Sequence, residues 1–315
     1  MGVYWEWNMK RIISSLALVL VSVVPLAARP ASALRPPAIP AHGAYLGAWV
    51  NPQGLSGPPG GEKPMKELGQ LAAFNAAVGR PVAVLHAFSG FLDPLPTQTL
   101  AAIEKNGSIP LLDWHCGDLA DINAGKYDTV IHAYAKGVRA FGKPLFLRWY
   151  WEMNLDKHKA KSCDAFGHGP AFVAAWRRIR TIFNAEGATN AAFVWCPSGH
   201  GDVAPYYPGD AYVDWVAGDK FDRKGLGEAA FAIMFGTFFA SLPTHDKPIM
   251  VGATGAPAED QAAFIRGIAK DAPKFPRIKA IMYFDAPGKH GFQLQGEGLA
   301  AFKALVADPY FSFRG

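Results

Sequence analysis

The segment PLFLRWYWEMN, residues 144–154, combines a continuous apolar run with a carboxylate near its end. The run does not alternate polar with apolar side chains, which is typical of a strand buried on both faces in a parallel sheet. A glutamate directly after such a strand is costly unless its carboxylate is paired or used chemically. The segment therefore predicts a buried parallel strand that carries a functional group at its carboxyl end.

Seven other segments have the same apolar character and recur along the chain. They are AYLGAWV (44–50), VAVLHAF (82–88), IPLLDWH (109–115), AAFVWC (191–196), YVDWVAG (212–218), KPIMVGA (247–253) and IKAIMYF (278–284). Amphipathic segments lie between them, and several begin with Asp, Thr or Pro and stop at Gly, as helix ends do. The stretch after the fifth strand, PSGHGDVAPYYPGDA (197–211), is too rich in Pro and Gly for a full helix.

Eight strands that alternate with about seven or eight helices predict an α/β fold, a single-domain (β/α)₈ TIM barrel. The alternative is a doubly wound open sheet. A nucleotide-binding sheet of that kind would place G-x-G-x-x-G after the first strand, where this chain has GAWVNPQG (47–54). We therefore predict the barrel over residues 44–315.

The N-terminal 33 residues have the character of a secretory signal peptide. Two basic residues precede the apolar run IISSLALVLVSVVPLAA (12–28), and a small-x-small site, ASA (31–33), follows it. A membrane anchor is the alternative, but the run is short for a span and a linker rich in Pro and Ala (34–43) comes next. We predict a secreted protein, extracellular or periplasmic, with no stable membrane span after cleavage.

The overall composition favours a large core and argues against nucleic-acid binding. Apolar residues make up 50% of the chain and charged residues only 18%. The formal charge is +5, and the leader contributes three basic residues and one acidic residue to it. Because the chain shows no cluster of Lys and Arg and no basic helical stripe, we predict no nucleic-acid partner.

The three cysteines do not have the spacing of a metal site, so we predict neither a metal nor a cofactor. A disulfide between Cys116 and Cys163 is the pairing we expect in a secreted protein, since both follow predicted strands. Cys196, within FVWCP, is expected to be a small buried residue.

The active site of a (β/α)₈ barrel lies at the carboxyl ends of its strands. The candidate substrate-binding residues there are Trp49, His86, Trp114, His115, Arg148, Trp151, Asn154, Trp195, Asp219, Phe221, Tyr283 and Asp285. Aromatic faces stack on the C–H-rich faces of sugar rings, while His, Asn and carboxylates bind hydroxyl groups. A single Trp is more often ordinary core, but aromatic residues at many strand ends favour a sugar-binding cleft.

Glu152 is the strongest candidate for chemistry. The flanking Trp rings would exclude water from its carboxylate, as a general acid requires. Arg148 lies four residues earlier and points to the same side if the strand stays extended. The alternative is a purely structural Arg–Glu pair below the rim of the barrel.

PLFLRWYWEMN resembles the acid/base motif of glycoside hydrolase family 26, which comprises β-mannanases and some related β-glucanases and xylanases. The resemblance extends along nearly the whole chain after the leader, through GSIPLLDWH, GPAFVAAWRRI, GATNAAFVWCPSG, YYPGDAYVDWVAGD, KPIMVGATGA and FPRIKAIMYFD in the family's order. It implies a (β/α)₈ barrel and a retaining mechanism with two glutamates. Glu152 matches the acid/base, and the position that matches the nucleophile is Ala253.

Three positions depart from the pattern of the family. Retaining hydrolysis needs a second carboxylate about 5 Å from the first, and the methyl group of Ala253 cannot attack a sugar. Phe221 occupies a position where members usually carry a tyrosine that contacts the nucleophile. Trp151 stands where many members have a histidine. The sequence therefore predicts a protein that binds a β-linked polysaccharide (β-mannan or a related β-glucan or xylan) and is strongly impaired in hydrolysis.

Two alternatives stay open at this point. Asp285 or Asp219 could act as the base of an inverting reaction if a water molecule fits between it and Glu152, although such aspartates often cap the next helix or hold a loop. An active endo-β-glycanase would then result. The chain could also be a structural or assembly protein on the cell surface that keeps the barrel as a scaffold.

Overall fold

The computed structural model describes residues 33–50, 67–156, 163–286 and 291–311. Residues 1–32 of the predicted signal peptide lie outside this range. A compact unit begins at Leu34, and residues 34–43, the predicted linker, form neither helix nor strand. Of the helices in the described part of the chain, none is both long and apolar enough to cross a membrane.

Eight parallel strands form a closed barrel in which each strand pairs with its sequence neighbours and β1 pairs with β8. The strands are β1 (Tyr45–Val50), β2 (Val84–Ser89), β3 (Ile109–Trp114), β4 (Leu145–Trp149), β5 (Ala191–Trp195), β6 (Trp215–Asp219), β7 (Ile249–Thr254) and β8 (Ile278–Asp285). The predicted (β/α)₈ TIM barrel is confirmed. All eight predicted strands are present; β6 begins three residues later than predicted because residues 210–212 form a 3₁₀ turn.

Eight α-helices in the described residues accompany the strands. They are α1 (Glu67–Val78), α2 (Thr97–Lys105), α3 (Leu119–Asn123), α4 (Asp128–Phe141), α5 (Gly169–Ala185), α6 (Ala230–Ala240), α7 (Gln261–Asp271) and α8 (Gly296–Ala307). No α-helix follows β5, where two 3₁₀ turns occur instead. The Pro- and Gly-rich composition of that stretch predicted this interruption correctly.

Two apolar clusters fill the inside and the outside of the barrel. The inner cluster is built on large side chains that meet edge to face: the ring of Phe146 lies 6.0 Å from that of Tyr45 and 5.1 Å from that of Trp215. The outer cluster packs the opposite faces of the strands against the helices. Because successive residues of a strand point to opposite sides, each strand supplies both clusters in alternation. Only residues with the inward phase can reach the barrel mouth, where the strands end.

Candidate functional site

A buried ionic network forms the base of the barrel mouth. Nη1 of Arg148 donates to Oδ1 of Asp219 at 2.9 Å and lies 3.4 Å from Sγ of Cys196. The same guanidinium forms a two-pronged pair with Asp113. Nε2 of His86 lies 2.6 Å from Oδ2 of Asp113. These five residues, here called the charged floor, are each less than a tenth exposed, so the charge of Arg148 is compensated inside the protein by two carboxylates.

Burial and neighbouring charges shift the pKa values of the two carboxylates of the charged floor in opposite directions. Burial acts to raise the pKa of Asp113, but Arg148 and His86 together hold that pKa below its ordinary value. Burial raises the pKa of Asp219 to about 7; Arg148 opposes this rise, and the charge of Glu152 adds to it. Burial also lowers the pKa of His86. At neutral pH the floor therefore contains an ionised Asp113 and a neutral His86, and burial raises the pKa of Asp219 above that of an ordinary carboxyl.

Glu152 lies in a backbone turn that few residues adopt. Tyr150 and Glu152 have φ values of 50° and 54°, in the left-handed region that disfavours side chains. The N–H of Glu152 donates to the carbonyl of Cys196 at 2.8 Å, and the hydroxyl of Tyr150 accepts from the N–H of Ala165 at 2.8 Å. Such conformations cost about 1–3 kcal/mol each and persist only where the surroundings hold them. The surroundings here present the half-buried side chain of Glu152 at the mouth.

Asn154 ties this turn to the next strand. Its Nδ2 donates to the carbonyl of His200 at 2.6 Å, and its Oδ1 accepts from the N–H of Ser198 at 2.8 Å. The side chain is 6% exposed. The side-chain amide of Asn154 is hydrogen-bonded to the backbone after β5. Asn154 therefore positions the Glu152 turn and is not available to bind a ligand through that amide.

Ala253 is turned toward the barrel axis by an extra residue in β7. The register of β7 with β8 is interrupted between Val251 and Thr254. A bulge of this kind lets two successive residues, here Gly252 and Ala253, point to the same side. Ala253 pairs with Asp219, whose side chain lies inside the barrel. Ala253 belongs to neither apolar cluster, and a methyl group thus borders the charged floor where the family pattern would place a carboxylate.

An aromatic rim lies above the floor. The rings of Trp49 and Phe284 stack with centroids 4.1 Å apart, and Trp49 meets Phe88 edge to face at 5.7 Å. Phe88 contacts Trp151 at 5.4 Å, and Trp151 contacts His115 at 5.4 Å. These side chains are half-buried, except Phe88, which is exposed. They present rings at the mouth from three strands (β1, β2 and β8), from the position just after β3 and from the turn after β4.

The same rim continues on the β6 side of the mouth. Phe221 meets Phe284 edge to face at 5.7 Å and stacks on Phe292 at 4.9 Å. The name aromatic rim is used below for the whole set, Trp49, Phe88, His115, Trp151, Phe221, Phe284 and Phe292. The charged floor also contacts the aromatic rim, since Cζ of Arg148 lies 6.0 Å from the centroid of the Trp151 ring. The mouth therefore combines stacking surfaces with a charged base.

Three predicted cleft residues belong to the outer core instead. Trp114, Trp195 and Tyr283 are at most 1% exposed and pack in the outer cluster. Each polar atom is used there: Nε1 of Trp114 donates to the carbonyl of Phe91, Nε1 of Trp195 to that of Tyr206, and the Tyr283 hydroxyl to that of Phe292. The prediction that these three line the cleft is wrong, because their positions in the strands have the outward phase.

Asp285 also points outward. It pairs with Val50, a member of the outer cluster, and its Oδ1 accepts from the N–H of Leu294 at 2.7 Å. It lines a cavity of about 210 Å³ between the barrel and helices α1 and α8. The prediction that Asp285 faces the cleft is therefore wrong, and Asp285 is no longer a candidate for the base of an inverting reaction.

We expect Asp285 to make the protein less stable as pH rises. Burial raises its pKa from 3.8 to about 6 in the folded state, so folding takes up a proton between these values and the free energy of unfolding falls as pH increases through them. Asp285→Asn should remove this decline, which amounts to at most about 3 kcal/mol. Urea unfolding of both proteins across this pH range measures it. Parallel stability curves would show that the carboxyl of Asp285 titrates normally.

The expected disulfide and the expected buried cysteine are both present in the structure. Cys116 and Cys163 form a disulfide with Cα atoms 5.4 Å apart, which joins the loops after β3 and β4 beside the mouth. Cys196 is a fully buried free thiol. His115 lies against the disulfide, with Nδ1 3.0 Å from Sγ of Cys116. His115, Cys116 and Cys163 make up the group of possible metal ligands found in the described part of the chain. Both sulfurs of this group belong to the disulfide.

Sequence reasoning missed several residues of the site. Phe284 lies at the end of β8 with the inward phase, a signal that a strict count of alternation from the core residues would have found. Asp113 pairs directly with Arg148 across β3 and β4. Its position within the predicted strand IPLLDWH was a signal for the inward phase. Phe292 lies in the connection after β8 and has no periodic signal.

Comparison with curated proteins gives relatives by sequence. No protein-family model matches the chain. Endoglucanase H of Acetivibrio thermocellus is 28% identical over 286 residues, which are 84% of this chain and 30% of that protein. Beta-1,3-xylanase TXYA of a Vibrio species is 25% identical over 163 residues, 45% of this chain and 34% of that protein. The chain thus spans about a third of the length of these two relatives.

A solved structure gives the same fold. A glycoside hydrolase family 26 β-mannanase from Bacteroides ovatus superposes with a TM-score of 0.63 at 15% identity, over 86% of this chain and 90% of that one. At this identity the likeness shows a shared barrel fold.

Proposed function

We propose that this chain is a glycoside hydrolase family 26-like barrel that binds a β-linked polysaccharide and hydrolyses it poorly or not at all. The observation that carries the proposal is the composition of the mouth: Glu152 is presented on a constrained turn, while Ala253 borders the charged floor. A retaining glycosidase needs carboxylates at both positions. The aromatic rim supplies the stacking surfaces that sugar rings require.

The names of the relatives support a β-linked glycan as the ligand. They include an endoglucanase, a β-1,3-xylanase and a β-mannanase, so the proposed ligand class is β-mannan or a related β-glucan or xylan. We also propose that the protein is secreted and meets its ligand outside the cytoplasm, which rests on the leader over residues 1–33.

An active inverting hydrolase is the second candidate, and Asp219 is the observation in its favour. Its carboxyl lies inside the barrel next to Ala253 in register, and burial raises its pKa to about 7. Against this, Asp219 is 4% exposed and held by Arg148 at 2.9 Å. A carboxylate that serves as the partner of a buried guanidinium is a poor base for a water molecule. The binding proposal is therefore the stronger one.

Glycan binding and turnover by Trp49→Ala and Glu152→Gln test the proposal. We expect wild type to bind β-mannan, mixed-linkage glucan or xylan in affinity electrophoresis, and Trp49→Ala to weaken that binding about tenfold to a hundredfold, because its ring contacts Phe88 and Phe284 and removing it disrupts the aromatic rim. Ile233→Ala is the matched control, since Ile233 is 54% exposed on α6. Release of reducing ends should be negligible in wild type and unchanged in Glu152→Gln. Substantial turnover that Glu152→Gln abolishes would establish a hydrolase, and no binding to any of the glycans would leave the scaffold alternative.

A further inference from the structure

We propose that the glycan carries acidic groups and that Arg223 binds them on the β6 side of the mouth. The inference rests on the proposed function and adds the chemical class of the ligand to it. Its basis is the position of Arg223 at the aromatic rim and the way its neighbours Asp222 and Lys220 use their charges.

Arg223 lies beside the position of the missing nucleophile. The segment after β6 runs along the end of β7, where the N–H of Lys220 donates to the carbonyl of Ala253 at 3.0 Å and that of Asp222 to the carbonyl of Gly255 at 2.9 Å. Phe221, between these two anchors, contributes its ring to the aromatic rim. Cζ of Arg223 lies 5.7 Å from the centroid of that ring. The guanidinium is thus held at the rim by a cation–π contact.

Two charged side chains near Arg223, those of Asp222 and Lys220, make hydrogen bonds within the protein. Asp222 is 1% exposed and accepts hydrogen bonds from the N–H groups of Lys224, Leu226 and Gly227. Nζ of Lys220 donates to the carbonyl of Met234 at 3.0 Å. Arg223 itself is exposed, and no carboxylate in the described ranges pairs with it.

The exposed guanidinium of Arg223 is suited to bind an anionic oxygen group of a ligand. Arg148, the cation of the charged floor, already has two carboxylate partners, so it does not supply positive charge to a sugar. Arg223 keeps its N–H donors, and their planar fork fits a carboxylate or a sulfate with two parallel hydrogen bonds. A sugar bound at the aromatic rim on the β6 side of the mouth would bring a substituent to these donors. The ligand class is therefore a β-glycan with carboxylate or sulfate groups.

Three forms of one polymer test the inference. The probes are glucomannan, the same glucomannan with part of its C6 hydroxyls oxidised to carboxylates, and a sulfated sample of equal charge density. We expect wild type to bind the charged forms about tenfold more tightly than the neutral one, as a charge-assisted hydrogen bond of ordinary strength gives. The preference should weaken with added salt because Arg223 is exposed. Comparison of the two charged forms identifies which anion is favoured.

Arg223→Gln should abolish the preference, so that it binds the charged and the neutral forms equally. Arg223→Lys should retain part of the preference, since it keeps the charge but not the fork. Lys224→Gln, which removes an equal charge from the adjacent exposed position, is the matched control and should retain most of the preference. A wild type that binds neutral and charged forms equally, or a preference that survives in Arg223→Gln, overturns this inference alone. Failure to bind any of the three forms overturns the proposed function with it.

Discussion

Replacing Arg148 by methionine is expected to lower the free energy of unfolding by about 3–5 kcal/mol. The methionine side chain fills much of the same space, but Asp113 and Asp219 then lose the guanidinium that compensates them. Both carboxylates are at most 4% exposed, so water cannot replace that partner. Urea denaturation monitored by tryptophan fluorescence measures the loss.

Arg178→Met is the matched control for this variant. Arg178 also forms a two-pronged pair with one aspartate, Asp128, but both side chains are more than a third exposed. An ion pair in such a position contributes at most about 1 kcal/mol. If Arg148→Met lost no more stability than Arg178→Met, the charged floor would not be what stabilises the barrel mouth.

Introducing a carboxylate with Ala253→Glu is expected to raise glycan hydrolysis by about a thousandfold or more over wild type. The glutamate would stand at the end of β7, in register with Asp219, while Glu152 lies on the turn after β4. Two carboxylates about 5 Å apart are what a retaining mechanism needs. Phe221→Tyr should increase the gain, because a hydroxyl there can donate to the new carboxylate. Release of reducing ends gives the rate, and NMR of the first product gives the anomeric configuration.

Ala253→Gln has nearly the same size as the glutamate variant but cannot form a glycosyl-enzyme, so it should show no gain. Glu152→Gln combined with Ala253→Glu should lose the acquired activity, since no general acid is left to protonate the leaving group. Equal rates for Ala253→Glu and Ala253→Gln, with both variants folded, would contradict the assignment of position 253.

The strands were predictable because burial on both faces leaves a direct mark in the sequence. PLFLRWY, residues 144–150, does not alternate polar with apolar residues. The strand that it predicts is one residue longer at each end than the observed β4. The absent helix after β5 was predictable for a similar local reason, the density of Pro and Gly in 197–211. Local composition decides these features, so one sequence contains the information.

The direction of side chains at the strand ends was less predictable. Trp114 and His115 are neighbours at the end of β3, yet the first packs on Tyr134 at 4.2 Å outside the barrel and the second contacts Trp151 at the mouth. One residue of phase decides between core and cleft. The bulge in β7, which turns Ala253 inward, depends on the pairing with its neighbouring strands and has no signature in KPIMVGA.

The sequence by itself determined the barrel, the place of Glu152 after the fourth strand and the alanine at position 253, because each depends on residue type and order along the chain. Only the tertiary structure decided which carboxylate remains at the mouth. Asp219 and Asp285 both end strands, but Asp219 joins Arg148 inside the barrel and Asp285 faces helices α1 and α8. The closure of the sheet and the register of its strands set that difference, and these arise from contacts between residues far apart in sequence.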